Sequence, residues 1–310
     1  MSTTTALSAQ TVANDGSAVY AYGFNLPPAR ERYQPSLALI YSSSGGVSPY
    51  GTGWSLTENY IDLSTRATPD GSGLARQRYT LVRGGVRHIL VRLTNSAFRP
   101  DVADGYFVLN YNAANSTWTA TDGLGNSYTY SCITGTPSCN RWYLTRVQDV
   151  DNNTCVYEYS QSATQQCSSQ SGSVPPTAAL LTAIKYNFAA GAFSATAVHQ
   201  VALGYSPTSS AQREVVDGCL VTYDQLLTSV TVTRTQRDGS FKTLGSWGLS
   251  YTLSSDTSRP LLTSIQPMDR NGTALGLATS FGYETDQASP STVTPFADTP
   301  PSRSGTCPIH

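Results

Sequence analysis

Side chains suited to acid–base or nucleophilic chemistry are few in this sequence. Histidine is the most common general base, and the 310 residues contain only three histidines, His88, His199 and His310. His88 lies in the alternating segment VRHILV and His199 begins HQVALGY, so both are predicted to occupy strand surfaces. No GxSxG elbow, P-loop or HExxH motif is present. The sequence therefore predicts no enzyme and no catalytic residue.

The cysteines predict a disulfide rather than a metal site. The six are Cys132, Cys139, Cys155, Cys167, Cys219 and Cys307. They form no CxxC pair, which argues against zinc. Gly and Pro separate the first two in CITGTPSC, a composition typical of a closed loop between strands. A disulfide between Cys132 and Cys139 is predicted, and free cysteines in a reducing compartment are the alternative.

The segment DVDNN carries oxygen ligands at alternate positions, at Asp149, Asp151 and Asn153, as calcium loops do. A calcium loop needs a glutamate at position 12, and here that position is Ser160. An Asp/Asn-rich hairpin turn is therefore the favoured interpretation. No metal and no cofactor are expected.

The composition argues against a nucleic-acid partner and favours β-strands. Only 13% of residues are charged and the formal net charge is -1, so a polyanionic nucleic acid is not an expected partner. Tyrosine is abundant, with 19 residues against 8 Phe and 4 Trp, which is typical of β-structure. No apolar run approaches the roughly 18 residues of a membrane span, and the N-terminus lacks the pattern of a classical signal peptide.

Alternation of apolar and polar residues predicts an all-β fold of antiparallel hairpins in a large curved sheet. Gly84-Gly85 predicts one hairpin turn, and DGLGN predicts a second between 118–121 and 127–131. Further predicted strands cover 36–43, 77–82, 87–93 and 106–111. The Ser/Pro-rich stretch 160–176 predicts a surface loop.

A weak internal repeat has the pattern Leu-Thr-x-[Ile/Val]. It begins at Leu144, Leu181, Leu227 and Leu262, and a tyrosine-bearing segment follows each copy. Each unit predicts an entry strand, a turn and a return strand, stacked into one sheet. Because the Leu and the Ile or Val are three residues apart, the pattern predicts that they face opposite sides of the sheet.

The opening blocks resemble a known family. The sequence has Pro35-x-Leu37-x-Leu-x-Tyr41 and then Gly51-x-Gly53-Trp54-x-Leu, in which glycines would permit a tight turn and the ring would anchor the next strand. Later blocks run from Trp142 through Asp149 and Asn153 to Tyr159, and from Leu262 to Tyr283. Together these residues resemble the SpvB-type N-terminal domain of insecticidal toxin-complex B components and Rhs/YD-repeat proteins. They are expected to be structural. Ala29 stands where that family has glycine, and Asn152 replaces another glycine.

The resemblance implies part of an Rhs/YD-repeat shell, a hollow wall that encloses a toxin encoded elsewhere. It further implies a secreted or cell-surface protein whose partners are the remaining toxin-complex segments or chains. The predicted organisation is a flexible 1–18, a β-domain over 19–283 with a sub-boundary near 160–178, and a disordered tail over 284–310. The alternative is an extracellular binding module for carbohydrate or a protein receptor. Several Tyr and Trp side chains converging in one exposed groove would favour that alternative.

Overall fold

A computed structural model describes residues 11–13, 16–29, 33–67, 75–102, 106–133, 139–161, 164–167, 179–188, 197–216 and 219–284. These residues form strands and connecting turns, and none of them is helical. The predicted all-β class is therefore confirmed. None of the described segments provides a helix that could cross a membrane.

The strands are β1 (Thr11–Val12), β2 (Ala18–Gly23), β3 (Ala38–Ser42), β4 (Trp54–Leu56), β5 (Tyr60–Ala67), β6 (Ala75–Arg83), β7 (Val86–Arg92), β8 (Ala97–Pro100), β9 (Phe107–Asn112), β10 (Thr117–Asp122), β11 (Ser127–Ser131), β12 (Arg141–Gln148), β13 (Thr154–Ser160), β14 (Thr164–Cys167), β15 (Leu180–Phe188), β16 (Ala197–Val216), β17 (Cys219–Thr235), β18 (Phe241–Leu253), β19 (Pro260–Met268) and β20 (Thr279–Ser280).

Eight strands of the larger sheet close on themselves. Strands β5 to β11 pair in sequence order, and β12 then pairs with both β11 and β5. Closure leaves no free edge along this ring of strands, so every strand has two neighbours. The join between β5 and β12 is short, with three residue pairs from Arg141↔Asp62 to Tyr143↔Tyr60.

Aromatic side chains fill the interior of the ring. Trp118 and Trp142 are fully buried, and their ring centroids lie 6.0 Å apart at an interplanar angle of 75°. Tyr79 and Phe98 pack edge-on against Trp118 at 5.0 and 4.9 Å. Such edge-to-face contacts stabilise beyond the burial of area alone. The ring is therefore a packed core and not an open channel.

The same sheet continues away from the ring as an open extension. From β12 the order runs β13, β15, β16, β17, β18, β19 and β20, all antiparallel. Strands β16 and β17 are long, with 20 and 17 residues. The extension is thus a run of hairpins in one sheet, as the sequence predicted.

A small sheet of β1 to β4 covers the extension. The ring of Phe24 packs edge-on against Trp247 on β18 at 5.3 Å, and that of Tyr20 against Phe281 at 5.6 Å. The Tyr186 hydroxyl on β15 donates to the carbonyl of Pro27 at 2.9 Å. Both aromatic and polar contacts therefore hold the two layers together.

Two strands lie in segments that were predicted to be a surface loop or flexible. Residues 164–167, inside the predicted surface loop 160–176, form β14 and pair with β17 from Thr164↔Thr222 to Cys167↔Cys219. The loop prediction is wrong for these four residues, because the long β17 offers backbone partners that local composition does not reveal. Strand β1 lies inside 1–18 and pairs with β2 through Thr11↔Val19. The tail from residue 285 lies outside the described residues.

The prediction that the repeat places Leu and Ile or Val on opposite faces is wrong. All eight of these side chains are buried in one core cluster. A β-bulge at the repeat's threonine inserts one extra residue, so that Glu158 opposes Ala183 while Tyr159 opposes Leu181. The extra residue shifts the alternation by one position, and residues three apart then share a face.

The structure contains the disulfide between Cys132 and Cys139, which closes a loop between β11 and β12. Cys155 is a buried free thiol whose pKa burial raises to about 12, so it is unreactive at neutral pH. The side chains of Cys167, Cys219 and Cys307 lie outside the described set.

Candidate functional site

The repeat is built around tyrosine hydroxyls that donate to leucine carbonyls. Each tyrosine reaches back across the sheet to the first residue of the preceding Leu-Thr unit. The four bonds are Tyr159 to Leu144 at 3.0 Å, Tyr205 to Leu181 at 2.9 Å, Tyr251 to Leu227 at 2.8 Å and Tyr283 to Leu262 at 2.9 Å. We call these four tyrosines the tyrosine ladder. Burial raises the pKa of each, so the hydroxyls remain protonated donors.

The threonine of each repeat unit is the extra residue of a β-bulge. Register shifts occur at Thr129/Tyr130, Glu158/Tyr159, Gly204/Tyr205 and Ser250/Tyr251, each opposite a Leu-Thr pair. The threonine hydroxyl then donates to a carbonyl of the neighbouring strand, as Thr182 does to Glu158 at 3.0 Å and Thr263 to Ser250 at 3.0 Å. Leu, Thr and Tyr thus form one bulged unit that recurs along the extension.

The glycines of the opening motif adopt the backbone conformation that the sequence predicts. Gly51 has φ of 100° and Gly53 has φ of 81°, both in the left-handed region. A Cβ at Gly53 would lie 2.6 Å from Cε2 of Tyr41. The motif therefore needs glycine both for its turn and for the close approach of the Tyr41 ring.

Trp54 connects the small sheet to the last ladder tyrosine. Its side chain is buried, and Nε1 donates to the Tyr283 hydroxyl at 2.8 Å, which itself donates to the carbonyl of Leu262. The preceding loop also bonds to the extension, because Thr52 N donates to the Pro260 carbonyl at 2.9 Å. The opening motif thus connects the small sheet to the extension through hydrogen bonds.

Asp149 organises a turn. Its Oδ1 accepts hydrogen bonds from the backbone amides of Asp151 and Asn153, both at 2.9 Å. Asn152 has φ of 63°, as expected for an asparagine in place of glycine. Asp122 and Asp269 hold turns of the same design. The described residues contain no group of three or more side chains suited to a metal.

The other residues of the resemblance lie in packed positions. Pro35 and Leu37 are buried beside the small sheet, and Tyr41 packs its ring 5.3 Å from that of Trp54. Trp142 donates from Nε1 to the carbonyl of Ser116 at 2.9 Å. At the glycine-to-alanine departure, the backbone amide of Ala29 donates to the Gln34 side chain at 2.7 Å.

The described histidines lie on strands β7 and β16. His88 lies mid-strand on β7, as predicted. His199 Nδ1 is 2.8 Å from the Asn187 amide nitrogen, and its ring stacks on Tyr186 at 5.4 Å. Both contacts are with residues of the neighbouring strand β15 and give His199 a packing role.

A polar pocket of about 610 Å³ lies where the small sheet meets the ring of strands. We call it the junction pocket. Glu214 and Tyr223 from the long β16–β17 hairpin form one wall, and residues 47–58 form another. Its floor is one face of β12, β5 and β6, where cross-strand neighbours form two rows, Tyr143–Tyr60–Val82 and Arg141–Asp62–Thr80. Sequence reasoning missed this pocket, because its walls come from segments far apart in the chain.

Charged groups in the junction pocket are held in fixed contacts. Arg141 donates to both oxygens of Asp62, at 2.6 and 3.1 Å, and only 14% and 17% of these side chains is exposed. The Arg141 guanidinium also lies 4.2 Å from the ring centroid of Tyr60. The Tyr50 hydroxyl donates to Glu58 at 2.9 Å and the Tyr223 hydroxyl donates to Glu214 at 2.6 Å.

The pKa of the Glu58 carboxyl group is raised above its ordinary value. Burial raises its pKa, because the charged form is poorly solvated there. The hydrogen bond from Tyr50 and the charge of Arg141 oppose this shift without cancelling it. Glu58 therefore takes up a proton more readily than an exposed glutamate.

Exposed aromatic rings do not converge in the two most prominent concave surfaces of the described structure. A groove of about 1180 Å³ contains one Trp or Tyr, Trp247, whose ring packs against Phe24. In the junction pocket Tyr50, Tyr60 and Tyr143 are buried. These two surfaces therefore offer no stacking platform, whereas a smaller groove of about 300 Å³ is lined by aromatic side chains, among them Tyr20, Tyr41, Trp54 and Tyr283.

Comparison with known proteins identifies the fold. Residues 12–70 match the family SpvB, described as Salmonella virulence plasmid 65kDa B protein. The resemblance to the SpvB-type domain is confirmed. The structure also resembles the N-terminal domain of effector protein SpvB from Salmonella typhimurium strain LT2, with a TM-score of 0.58 at 14% identity. That match covers 80% of this chain and 98% of the SpvB domain.

Toxin-complex structures show the same fold within longer chains. The Photorhabdus luminescens Tc holotoxin pore matches with a TM-score of 0.66 at 13% identity, over 89% of this chain. TcdB2-TccC3 matches with 0.64 at 14% identity, again over 89%. This chain spans only 16% and 17% of the length of those two. No curated protein matches the sequence.

Proposed function

We propose that this chain is a non-catalytic structural module of a secreted, Rhs/toxin-complex-type protein, and that it forms part of the wall enclosing or presenting a toxin carried elsewhere. The observation that carries the proposal is the tyrosine ladder. Four successive units contain the same bulge and the same bond from a tyrosine hydroxyl to a leucine carbonyl. Each hairpin of the extension is therefore joined to the preceding one in the same way. The similarity to toxin-complex chains supports the assignment.

The ladder favours a structural role over a catalytic one. Its tyrosine hydroxyls donate to backbone carbonyls, and its threonine hydroxyls do the same one strand away. Groups committed to the backbone in this way stabilise the sheet and are not available to a substrate. We propose that the module spans residues 19–283, with β1 at Thr11–Val12 adding a further strand to its small sheet.

The open end of the extension is the proposed contact with further segments. Within the described residues, β20 pairs with β19 alone. Phe281 N donates to the Thr263 carbonyl at 2.9 Å, so by antiparallel geometry the neighbouring Ser280 directs its amide outward. An outward row of amides and carbonyls is a template for another strand. We propose that a strand of the remaining toxin-complex segments or chains pairs here.

Association of the purified chain tests this proposal. We expect the 310-residue chain to associate as its concentration rises, as measured by size-exclusion chromatography with light scattering. Ser280→Pro removes the outward amide and should weaken association, whereas Ser280→Ala should leave it unchanged. A monomer independent of concentration would contradict the proposed edge. Hydrolytic activity of the purified chain, abolished by one substitution, would contradict the non-catalytic role.

A further inference from the structure

The junction pocket has the size and lining of a ligand site. Its volume of about 610 Å³ falls within the range of roughly 300–1,000 Å³ typical of small-molecule sites. It concentrates Glu58, Asp62, Glu214 and Arg141 in one concave surface between two sheets. Arg141 pairs with Asp62 and each glutamate accepts a tyrosine hydroxyl, so the charged groups of this surface are held in fixed positions.

The carboxylates of the pocket keep acceptor capacity. Glu58 and Glu214 each accept a tyrosine hydroxyl on Oε1, which leaves Oε2 to accept from a ligand. The tyrosines and Arg141 keep these groups in place. A ligand that fits must therefore donate several hydrogen bonds, as a sugar does through its hydroxyls.

Two arginines add positive charge at the mouth of the pocket. Arg78 on β6 and Arg87 on β7 both line the pocket and both are exposed. Arg87 lies opposite Val82 at the end of one floor row, and Arg78 lies opposite Ser64 beyond the other. Neither takes part in the salt bridges of the described residues. Exposed guanidinium groups beside fixed hydrogen-bonding groups favour a carboxylate or another oxyanion on the ligand.

We infer that the junction pocket binds an acidic saccharide. The sugar hydroxyls would donate to Glu58 and Glu214, and the sugar carboxylate would pair with Arg78 and Arg87. Tyr50, Tyr60 and Tyr143 are buried and the hydroxyl of the half-buried Tyr223 is bonded to Glu214, so recognition rests mainly on hydrogen bonds and charge. This site is separate from the tyrosine ladder, and a failure to bind would leave the proposed structural role standing.

Titration calorimetry on the 310-residue chain tests the inference. The probes are N-acetylneuraminic acid as a free sugar and 3′-sialyllactose as a glycan terminus, with methyl glucoside as the neutral comparison. We expect saturable binding of at least one acidic probe and much weaker binding of methyl glucoside. The two acidic probes distinguish a free sugar from a glycan end. No binding of either, or equal binding of methyl glucoside, would overturn the inference.

Substitutions at the mouth locate the binding. Arg87→Gln and Arg78→Gln should each weaken binding of the acidic probe by about tenfold, as expected for loss of one charge-assisted hydrogen bond. Arg99→Gln, an exposed arginine on β8 outside the pocket, should leave affinity unchanged. The circular dichroism spectra of all three should match that of the wild type. Equal affinity in the three variants would place any binding elsewhere.

Discussion

The ladder tyrosines compensate for the backbone hydrogen bonding that each bulge interrupts. At a bulge one residue of a strand is extra, so the regular hydrogen bonding between strands is interrupted. The tyrosine hydroxyl donates to the carbonyl of a leucine on the preceding strand, as Tyr251 on β18 does for Leu227 on β17. Since a buried carbonyl without a donor is costly, this residue couples each hairpin to the one before it.

Tyr251→Phe should lower the free energy of unfolding by about 1–2 kcal/mol, because the Leu227 carbonyl loses its donor while the ring remains. Urea denaturation measures the effect. Tyr106→Phe is the matched control, since 66% of the Tyr106 side chain is exposed, and it should stay within about 0.5 kcal/mol of wild type. Equal stability of the two variants would show that the ladder bond does not contribute.

Glu58 should make stability depend on pH. Its pKa is raised on folding, so the folded state holds this proton more tightly than the unfolded chain does. The stabilisation is therefore complete below the unfolded carboxyl pKa of about 4.3 and is lost as pH rises through the folded pKa. Glu58→Gln should match wild type at low pH and exceed it above that window.

Urea unfolding of Glu58→Gln from pH 4 to pH 8 measures this difference. Glu284→Gln, an exposed carboxyl at the end of the described chain, is the control and should leave the pH profile unchanged. A constant gap between Glu58→Gln and wild type across the range would contradict the assigned shift.

At the element scale, the loop before β4 joins the small sheet to the extension. It fastens the small sheet to the extension at Leu227, whose amide donates to the Pro49 carbonyl at 2.9 Å, and at Pro260, whose carbonyl accepts from Thr52. Trp54 adds the bond to Tyr283. The loop's shape therefore determines whether the two sheets meet correctly.

Gly53→Ala should destabilise the protein by about 2 kcal/mol or more, because the new Cβ meets the Tyr41 ring and the positive φ is strained. Gly46→Ala is the matched control from the same loop, since nothing lies within 4 Å of its Cβ position. Thermal unfolding of both variants provides the comparison. A Gly53→Ala melting temperature equal to that of Gly46→Ala would contradict the assigned role of the loop.

Local chemistry explains why many elements could be predicted from sequence. Turn residues such as Gly84-Gly85 and Asp149 act within a few residues, and both turns lie where the sequence indicates them. The Leu-Thr repeat was also visible as a pattern. Its threonine bulge was not, because a bulge depends on which strand lies opposite, and pairs such as Tyr205↔Leu227 cannot be read from one strand.

Long-range pairing explains what the sequence did not predict. The ring closes through Arg141↔Asp62, two residues separated by 79 positions, and no local signal marks that contact. The junction pocket depends on the same closure and on a hairpin more than 70 residues further along the chain, at Glu214. The pocket could therefore be recognised only from the folded structure.

At the scale of the whole molecule, the described residues form three parts that pack together. The ring of strands has a packed aromatic interior, the extension repeats one bulged unit, and the small sheet covers that extension. The extension differs from the ring in having an open end at β20 within the described residues. The described chain thus combines a closed ring of strands with an open sheet edge.

We propose that the chain is one section of a continuous β-wall. The most direct measurement is electron cryomicroscopy of the assembly that contains this chain, isolated from its source through an affinity tag. We predict that β20 pairs with a strand of another segment or chain and that the sheet continues across this join. A map that shows the domain tethered at a distance, with no strand paired to β20, would contradict the account.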